Sequence, residues 1–568
     1  MAGKTLSIGL LADFNVQNLA VLLQKGSTAP SCICASFGQT VNLLLNPKAG
    51  FWSSPYDAVV LWTAPEHAVP SFNKVVASEQ SSPEDLVKDV DAFAGLLQHI
   101  PDTVQTILLP SWMRMQPGWE PLDLRNGVGV ANALMRMNLR LAEVLEHDRR
   151  IVVLDSHRWI NAAGATAYDP RLWYLSKTPF HTKVFEEASI DILAVLEGIH
   201  GKSKKVVILD LDNTLWGGVV GEVGWGKLRL GGHDPVGEAF VDFQKALKRL
   251  SHRGIILALV SKNDESVALE AIERHPEMVL KVSDFAGWKI NWQDKACNIV
   301  QLMAQLNLGL ESAVFLDDSP FECARVREAL PQVLVPDLPP DPMRYPLFLT
   351  GLRCFENPFV SLEDRNRTKM YVADRGRTEL RKDVSSLQEW LAMLELEVKV
   401  ELLNHSNLDR AAQLFNKTNQ MNLSTRRLSA AELLSWSRGD GHILWTFRVR
   451  DKFGDYGLCG IGSLVRDGAS GQIVDFLLSC RVMGRGVEEA MLATVLQSAK
   501  ALGYDTVYAQ FISTPRNEPC RKWLENLPAV KINAGKVMFS SIEAIPAPIH
   551  VSINFSETDD EVLVQTRQ

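Results

Sequence analysis

The sequence predicts an α/β protein of three domains, two built on parallel sheets and a third of α+β type. Three observations lead there. A chain of 568 residues is long for a single core and suits three domains of ordinary size. Up to about residue 350, short apolar runs alternate with helix-length amphipathic stretches, the pattern of strands joined by crossover helices. Beyond Leu396, strand-like runs follow one another closely at His442–Arg448, Gly457–Leu464 and Ile473–Leu478, before a helical stretch from Val487 to Lys500. The expected bounds are 1–200, 201–350 and 396–546, with a charged linker helix region over 351–395 and a polar tail over 547–568.

Composition narrows the class. The chain is 46% hydrophobic and 22% charged, which is ordinary globular usage. A net charge of −8 lacks the basic footprint of a nucleic-acid binder. None of the eight cysteines forms a CxxC pair, so neither a structural zinc site nor a disulfide framework is expected. The opening apolar run is short and interrupted by Asp13, unlike a signal peptide, and no run is long enough to span a bilayer. A cytoplasmic protein with neither nucleic-acid nor membrane partners is the expectation.

In the first domain, apolar runs at Leu6–Leu11, Ala58–Trp62, Thr106–Leu109 and Ile151–Leu154 alternate with helical stretches such as Pro83–His99 and Val130–His147. This order resembles a degenerate SGNH-hydrolase-like α/β domain. Those enzymes carry a Gly-Asp-Ser nucleophile after the first strand. Here the place reads Leu10-Leu11-Ala12-Asp13-Phe14-Asn15, without a serine, so Asp155 and His157 have nothing to activate. The domain is expected to be non-catalytic, a docking or structural unit, with His67 and His157 as ordinary hydrogen-bonded histidines.

The second domain carries the chemistry. Val206–Leu209 reads as a buried strand ending in Asp210, Asp212 and Thr214, before a Gly217–Gly218 turn. Two carboxylates at such a strand end are costly unless a cation lies between them. Asp210 then reads as nucleophile and Mg²⁺ ligand, and Asp212 as general acid/base. Alone, the pair reads equally well as a strand closing in an Asx-turn. Val219–Leu230 suits a short hairpin flap, and Pro235 opens a helix. A second buried strand, Ile255–Val260, ends in Ser261-Lys262-Asn263. There a hydroxyl suits a phosphoryl oxygen and Asn263 suits its orientation. Met278–Val282 reads as a further strand. Lys295 begins a helix after Asn291-Trp292-Gln293-Asp294, placed to offset phosphate charge; Lys289 is its competitor. Ala313–Leu316 ends in Asp317-Asp318, a second acidic pair suited to Mg²⁺.

Each station has a plain alternative: a cap, a solvated charge, a turn. In this order the four resemble the motif series of the haloacid dehalogenase (HAD) phosphotransferases, with a capless, Rossmann-like parallel sheet. The resemblance implies that Asp210 accepts phosphate and Asp212 moves protons. It implies that Ser261 and Lys295 hold the phosphoryl group, with Thr214 and Asn263 as substrate contacts. Asp317 or Asp318 then ligates Mg²⁺ with Asp210 and the Asp212 backbone carbonyl. The spacing leaves no room for a cap, and an open pocket suits a substrate presented on a macromolecule.

The wording is narrower still. DLDNTLWGGVVGE (210–222), SKN (261–263), INWQDKA (290–296), LNLGLESAVFLDDSPFE (306–322) and TNQMNLSTRR (418–427) resemble the FkbH-like glyceryltransferase/phosphatases of polyketide pathways. That resemblance implies removal of phosphate from 1,3-bisphosphoglycerate and loading of a glyceryl thioester onto an acyl carrier protein. A simple HAD phosphatase with partner-binding flanking domains is the alternative. A cysteine holding the glyceryl group would be Cys323 first and Cys297 second; the competing reading of either is a small apolar residue on a helix.

Pro336–Pro346 reads as the exit of this domain. Ser361–Asp383, with Arg365, Arg367, Lys369, Arg375 and Arg377, reads as a solvated linker helix. In the third domain, Arg481-Val482-Met483-Gly484-Arg485-Gly486 runs from a strand into a helix and resembles the pyrophosphate loop of GNAT acyltransferases. Arg481, Gly484 and Gly486 would meet the phosphopantetheine arm of the carrier through backbone N–H groups at the helix start. The closing Glu557–Gln568 is expected to be disordered.

Overall fold

The computed structural model describes residues 6–556 apart from 26–28, 119–120, 149, 307, 359–369, 374–376, 378–379, 382–383, 385, 515, 529, 534 and 540–544. The chain divides into two compact units, Met1–Lys204 with Thr350–Phe359, and Lys205–Leu349 with Val360–Gln568.

The first unit is a five-stranded parallel sheet. Its strands are β1 (Ser7–Ala12), β2 (Ser31–Cys34), β3 (Ala58–Trp62), β4 (Ile107–Pro110) and β5 (Ile151–Leu154), in the order β2-β1-β3-β4-β5. Alternate strand residues face opposite sides. Leu11, Val59, Leu61, Ile107 and Leu109 join the core of helices α1 (Pro83–Leu97) and α2 (Val130–Leu145). Ile8, Leu10, Val60, Trp62 and Leu108 join that of helix α3 (Thr182–Ile199). Chain from after the second domain returns here. Arg353 Nε donates to Asp191 Oδ1 at 2.7 Å, and Lys204 N–H to the Cys354 carbonyl at 2.8 Å. The start of the expected linker therefore belongs to this unit.

In the second unit, β6 (Val206–Leu209), β7 (Ile256–Ser261), β8 (Phe285–Ile290) and β9 (Ala313–Leu316) form a parallel sheet ordered β8-β7-β6-β9. All four residues of β6 and of β9 are buried, as expected of strands covered on both faces. Two expectations fail here. Met278–Val282 is no strand, because the N–H groups of Val279 and Leu280 are taken by the buried Gln244 Oε1 at 3.0 and 3.2 Å; the strand lies at Phe285–Ile290. The flap is no hairpin. Gly217 and Arg229 exchange two backbone hydrogen bonds around a helical turn, α4 (Val220–Val223), and a tighter turn at Trp225–Lys227. Gly218, at φ +102°, makes the bend into it.

Helix α5 (Pro235–His252), capped by Asp234, then leads to β7, and α6 (Glu265–Arg274) follows that strand. Helix α7 (Lys295–Gln305) precedes β9, and α8 (Pro320–Ala329) follows it. Within the proline-rich exit, Tyr345 packs edge-on against Phe240 and Phe243, at centroid distances of 5.9 and 5.4 Å.

The same unit holds a mixed sheet. It comprises β10 (Leu396–Leu402), β11 (Met421–Asn422), β12 (His442–Asp451), β13 (Gly454–Asp467), β14 (Ser470–Leu478), β15 (Thr506–Gln510), β16 (Val530–Asn533), β17 (Lys536–Phe539) and β18 (Val551–Phe555). The order is β16-β17-β15-β14-β13-β12-β10-β18, with β11 on β14 and helix α9 (Val487–Ala501) packed on the sheet. Strand β18 pairs in parallel with β10, so part of the expected tail completes the sheet. Glu557–Gln568 lies outside the described residues, as do Arg365, Arg367, Lys369 and Arg375. Arg377 is not on a solvated face: it is buried, with a bidentate ion pair to Asp451 at 2.6 and 2.7 Å. Among the described residues, no helix is long and apolar enough to cross a membrane.

Candidate active site

Adjacent parallel strands bring the predicted stations together. Leu209 of β6 stands level with Leu259 of β7 and Leu316 of β9, so Asp210, Ser261 and Asp317 fall at neighbouring strand ends. The Asp210 N–H continues the ladder to the Leu316 carbonyl at 3.0 Å. At this edge, oxygens of Asp210, Asp317 and Asp318 lie within 4.8 Å of one another.

Lys295, the first residue of α7, is buried and reaches into the cluster. Its Nζ stands 2.6 Å from Asp317 Oδ2 and 3.1 Å from Asp210 Oδ1. Lys289 lies on β8 instead. Burial pushes Asp210 up to about 6, against the pull of Lys295 and with the push of Asp317; the Ser261 hydroxyl, hydrogen-bonded to it, lowers it. Burial also raises Asp317 and Asp318. For Lys295 burial works downward, but Asp210 and Asp317 hold it above its ordinary range. Three carboxylates face one ammonium, and the buried Asp210 Oδ1 shares the Lys295 ammonium, at 3.1 Å, with Asp317. That surplus of hard oxygen donors fits a divalent cation such as Mg²⁺.

The remaining stations serve as supports. Thr214 is fully buried and exchanges hydrogen bonds with Asp318: its Oγ1 donates to Asp318 Oδ1 at 3.2 Å and accepts the Asp318 N–H at 3.2 Å. Asn263 Nδ2 donates to Asp212 Oδ2 at 2.8 Å. Both read as substrate contacts in the sequence; here each holds an acid. The Asp212 carboxylate stands outside the three-acid cluster and is engaged by Trp216 and Val220 as well, leaving its backbone carbonyl as the metal contact the resemblance implies.

Cys323 takes the second of its two readings, a small residue in the core. Its side chain packs with Ala296, Ile299 and Val326 in the core, its Sγ–H donates to the Asp317 carbonyl at 3.3 Å, and burial pushes the thiol up to about 11. Cys297 is exposed, two residues from the buried Lys295 and therefore on another face of α7.

Sequence reasoning missed two supports. Lys262 Nζ pairs with Glu322 Oε1 at 2.6 Å, tying the loop after β7 to α8. Trp216 was legible only as an indole donor among acids in Asp212-Asn213-Thr214-Leu215-Trp216.

In the third domain, the loop before α9 turns its donors on the protein's own groups. Gly484 N–H donates to Glu488 Oε1 at 2.5 Å, and Arg481 Nε to Ser479 Oγ at 3.1 Å. The carbonyl beside Gly486, that of Arg485, is 2.9 Å from His550 Nε2.

No family model and no curated protein matches the chain. Among solved structures, it is similar to the N-terminal part of the protein BF1531 from Bacteroides fragilis, which contains a phosphatase domain complexed with Mg. Identity is 28%, 62% of this chain and 95% of that one are covered, and the TM-score is 0.56. A domain from Methanocaldococcus jannaschii matches at 14% identity over 25% of this chain and 97% of that one, with a TM-score of 0.21. The ribosomal-protein-S18-alanine N-acetyltransferase from Escherichia coli matches at 10% over 25% and 90%, with a TM-score of 0.19. The first, with the acidic cluster, supports a HAD-like phosphatase domain in this chain.

Proposed function

We propose that this protein is a Mg²⁺-dependent phosphatase that also transfers a glyceryl unit from 1,3-bisphosphoglycerate to the phosphopantetheine thiol of an acyl carrier protein. The observation carrying the phosphatase reading is the convergence of Asp210, Asp317 and Asp318 within 4.8 Å beside the buried Lys295. Asp210, Asp317 and Asp318 would hold the ion, which supplies charge neutralisation for the transferred phosphoryl group. Asp210 attacks phosphorus as the bond to the leaving oxygen breaks, and Asp212 gives that oxygen its proton. Water then attacks the aspartyl phosphate, and Asp212 takes the water's proton. Lys295 and Ser261 hold the phosphoryl oxygens, and the Lys295 charge offsets the developing negative charge.

The glyceryl transfer rests on the FkbH-like wording of the motifs. An acyl phosphate is an activated carboxylate, so the carrier's sulfur attacks the carbonyl carbon directly, its proton passing to solvent, and the acyl phosphate group leaves with the electron pair; the remaining phosphomonoester is the one hydrolysed at Asp210. The burial of Cys323 favours this direct route over an enzyme thioester. The first domain, and the Arg481–Gly486 loop, serve carrier docking in this reading.

The test is incubation with Mg²⁺, 1,3-bisphosphoglycerate and phosphopantetheinylated carrier protein, read by carrier mass and released phosphate. A carrier heavier by one glyceryl unit supports the full reading. Phosphate release with an unchanged carrier leaves the simple phosphatase. No release overturns both.

A further inference from the structure

Three elements converge on a single carboxylate beside the acidic cluster. Trp216 Nε1, at the root of the flap, donates to Asp212 Oδ1 at 2.9 Å. The Val220 N–H, at the start of α4, donates to the same oxygen at 3.0 Å. Asn263 Nδ2, from the loop after β7, donates to Asp212 Oδ2 at 2.8 Å. The donors are buried while Asp212 is only half-buried, so the carboxylate is held from the protein's interior. A carboxylate offers about two acceptor positions on each oxygen. Oδ1 has both taken; Oδ2 has one left.

We propose that Trp216 and Asn263 are positioning residues that fix the Asp212 carboxylate so that its one free position, on Oδ2, faces the leaving oxygen. This rests on the phosphatase reading and deepens it. The proton travels on Oδ2: it passes to the leaving oxygen as the phosphorus–oxygen bond breaks and Asp210 bonds to phosphorus, leaving Asp212 as the carboxylate. Trp216 reaches the carboxylate through its N–H, and its ring is fully buried. Without that N–H the carboxylate keeps two donors and gains rotational freedom, which costs proton transfer more than it costs phosphoryl binding.

Leaving groups separate this role from mere structural support. An alkoxide leaving group needs the proton; 4-nitrophenolate does not. The experiment compares 4-nitrophenyl phosphate with glycerol phosphate, both with Mg²⁺, in the full-length protein and in Trp216→Phe and Asn263→Ala. The ratio of the two kcat/KM values within one preparation does not depend on how much of the sample is folded. The expected result is a loss on glycerol phosphate about tenfold larger than on 4-nitrophenyl phosphate in either variant, with the change in kcat rather than KM. Equal losses on both substrates overturn the clamp and leave the phosphatase intact. If Trp216→Phe yields no folded protein, Asn263→Ala decides alone. Wild-type protein that hydrolyses neither ester fails the phosphatase reading, and the clamp with it.

Discussion

Two parallel sheets in this molecule end in acidic loops, and the difference lies in what each acid is given to bond. Asp13 follows β1 as Asp210 follows β6. The Asp13 carboxylate accepts the Ala64 N–H at 2.9 Å and lies 3.6 Å from His67 Nδ1. After β4 and β5, the Ser156 hydroxyl donates to the Ser111 carbonyl at 2.6 Å and lies 2.9 Å from the Ser111 hydroxyl, and Phe14 packs edge-on against Trp62 at 5.4 Å. Asp210 instead shares its edge with two further carboxylates, and one ammonium, that of Lys295, serves both it and Asp317. The carboxyl edge of a parallel sheet is the usual ligand position, but it becomes a site only where polar groups are left incomplete. The sharpest contrast is therefore Asp210→Asn against Asp13→Asn. The first should cut phosphate release by about 10³-fold or more, through loss of the nucleophile. The second should leave release within about twofold and cost about 1 kcal/mol of stability. Phosphate assays with denaturant midpoints on both variants check this; retained turnover in Asp210→Asn would refute the nucleophile.

A divalent cation held by the three acids should stabilise the fold. At a thousandfold excess over its dissociation constant, Mg²⁺ should add about 4 kcal/mol, seen as a rise in the unfolding midpoint. Asp317→Asn should lose most of that rise, and Asp13→Asn none of it. Equal responses would erase the distinction between the two edges.

The distinction was partly legible beforehand. Lys295 was separable from Lys289 because a lysine that opens a helix after a strand loop points at the strand ends, and α7 begins there. Asp210, Asp317 and Asp318 were legible because buried strands must end at one edge. What failed did so for local reasons. Alternating apolar residues at Val219–Leu230 imitate a hairpin, but the glycines allow helical turns instead. Met278–Leu280 is apolar enough for a strand, yet a single buried glutamine supplies its partner. Thr214 and Asn263 read in the sequence as substrate contacts, and nothing in their spacing reveals that they also bond Asp318 and Asp212.

An incomplete carboxylate is not by itself a metal site, and Glu488 marks that limit. Its Oε2 is buried without a partner, but the acidic cluster among the described residues is elsewhere. Burial pushes Glu488 up to about 7, against the Gly484 N–H it accepts. A folded value above the unfolded one means that, as pH rises from about 4.5 to 7, the unfolded chain loses this proton first. Stability therefore falls across that window and the loss is complete above it, by at most about 3 kcal/mol. Glu488→Gln keeps the acceptor for Gly484 and titrates nothing. The stability difference between variant and wild type should grow in the variant's favour from pH 4.5 to 7, measured by denaturant midpoints. A difference that stays flat with pH would contradict the burial argument.

The smallest expected effect concerns the thiol nearest the acids in sequence. Cys323 sits six residues after Asp317, but α8 turns its side chain back among Ala296, Ile299 and Val326, and the Sγ–H is spent on the Asp317 carbonyl. A thiol pushed up to about 11 holds almost no thiolate at neutral pH, and the sulfur is buried. Removing it costs only packing. Cys323→Ala should lower stability by about 1 kcal/mol while phosphate release and carrier loading stay within about twofold. Loading abolished with phosphate release intact would place an acyl-enzyme on this sulfur and require α8 to open during turnover.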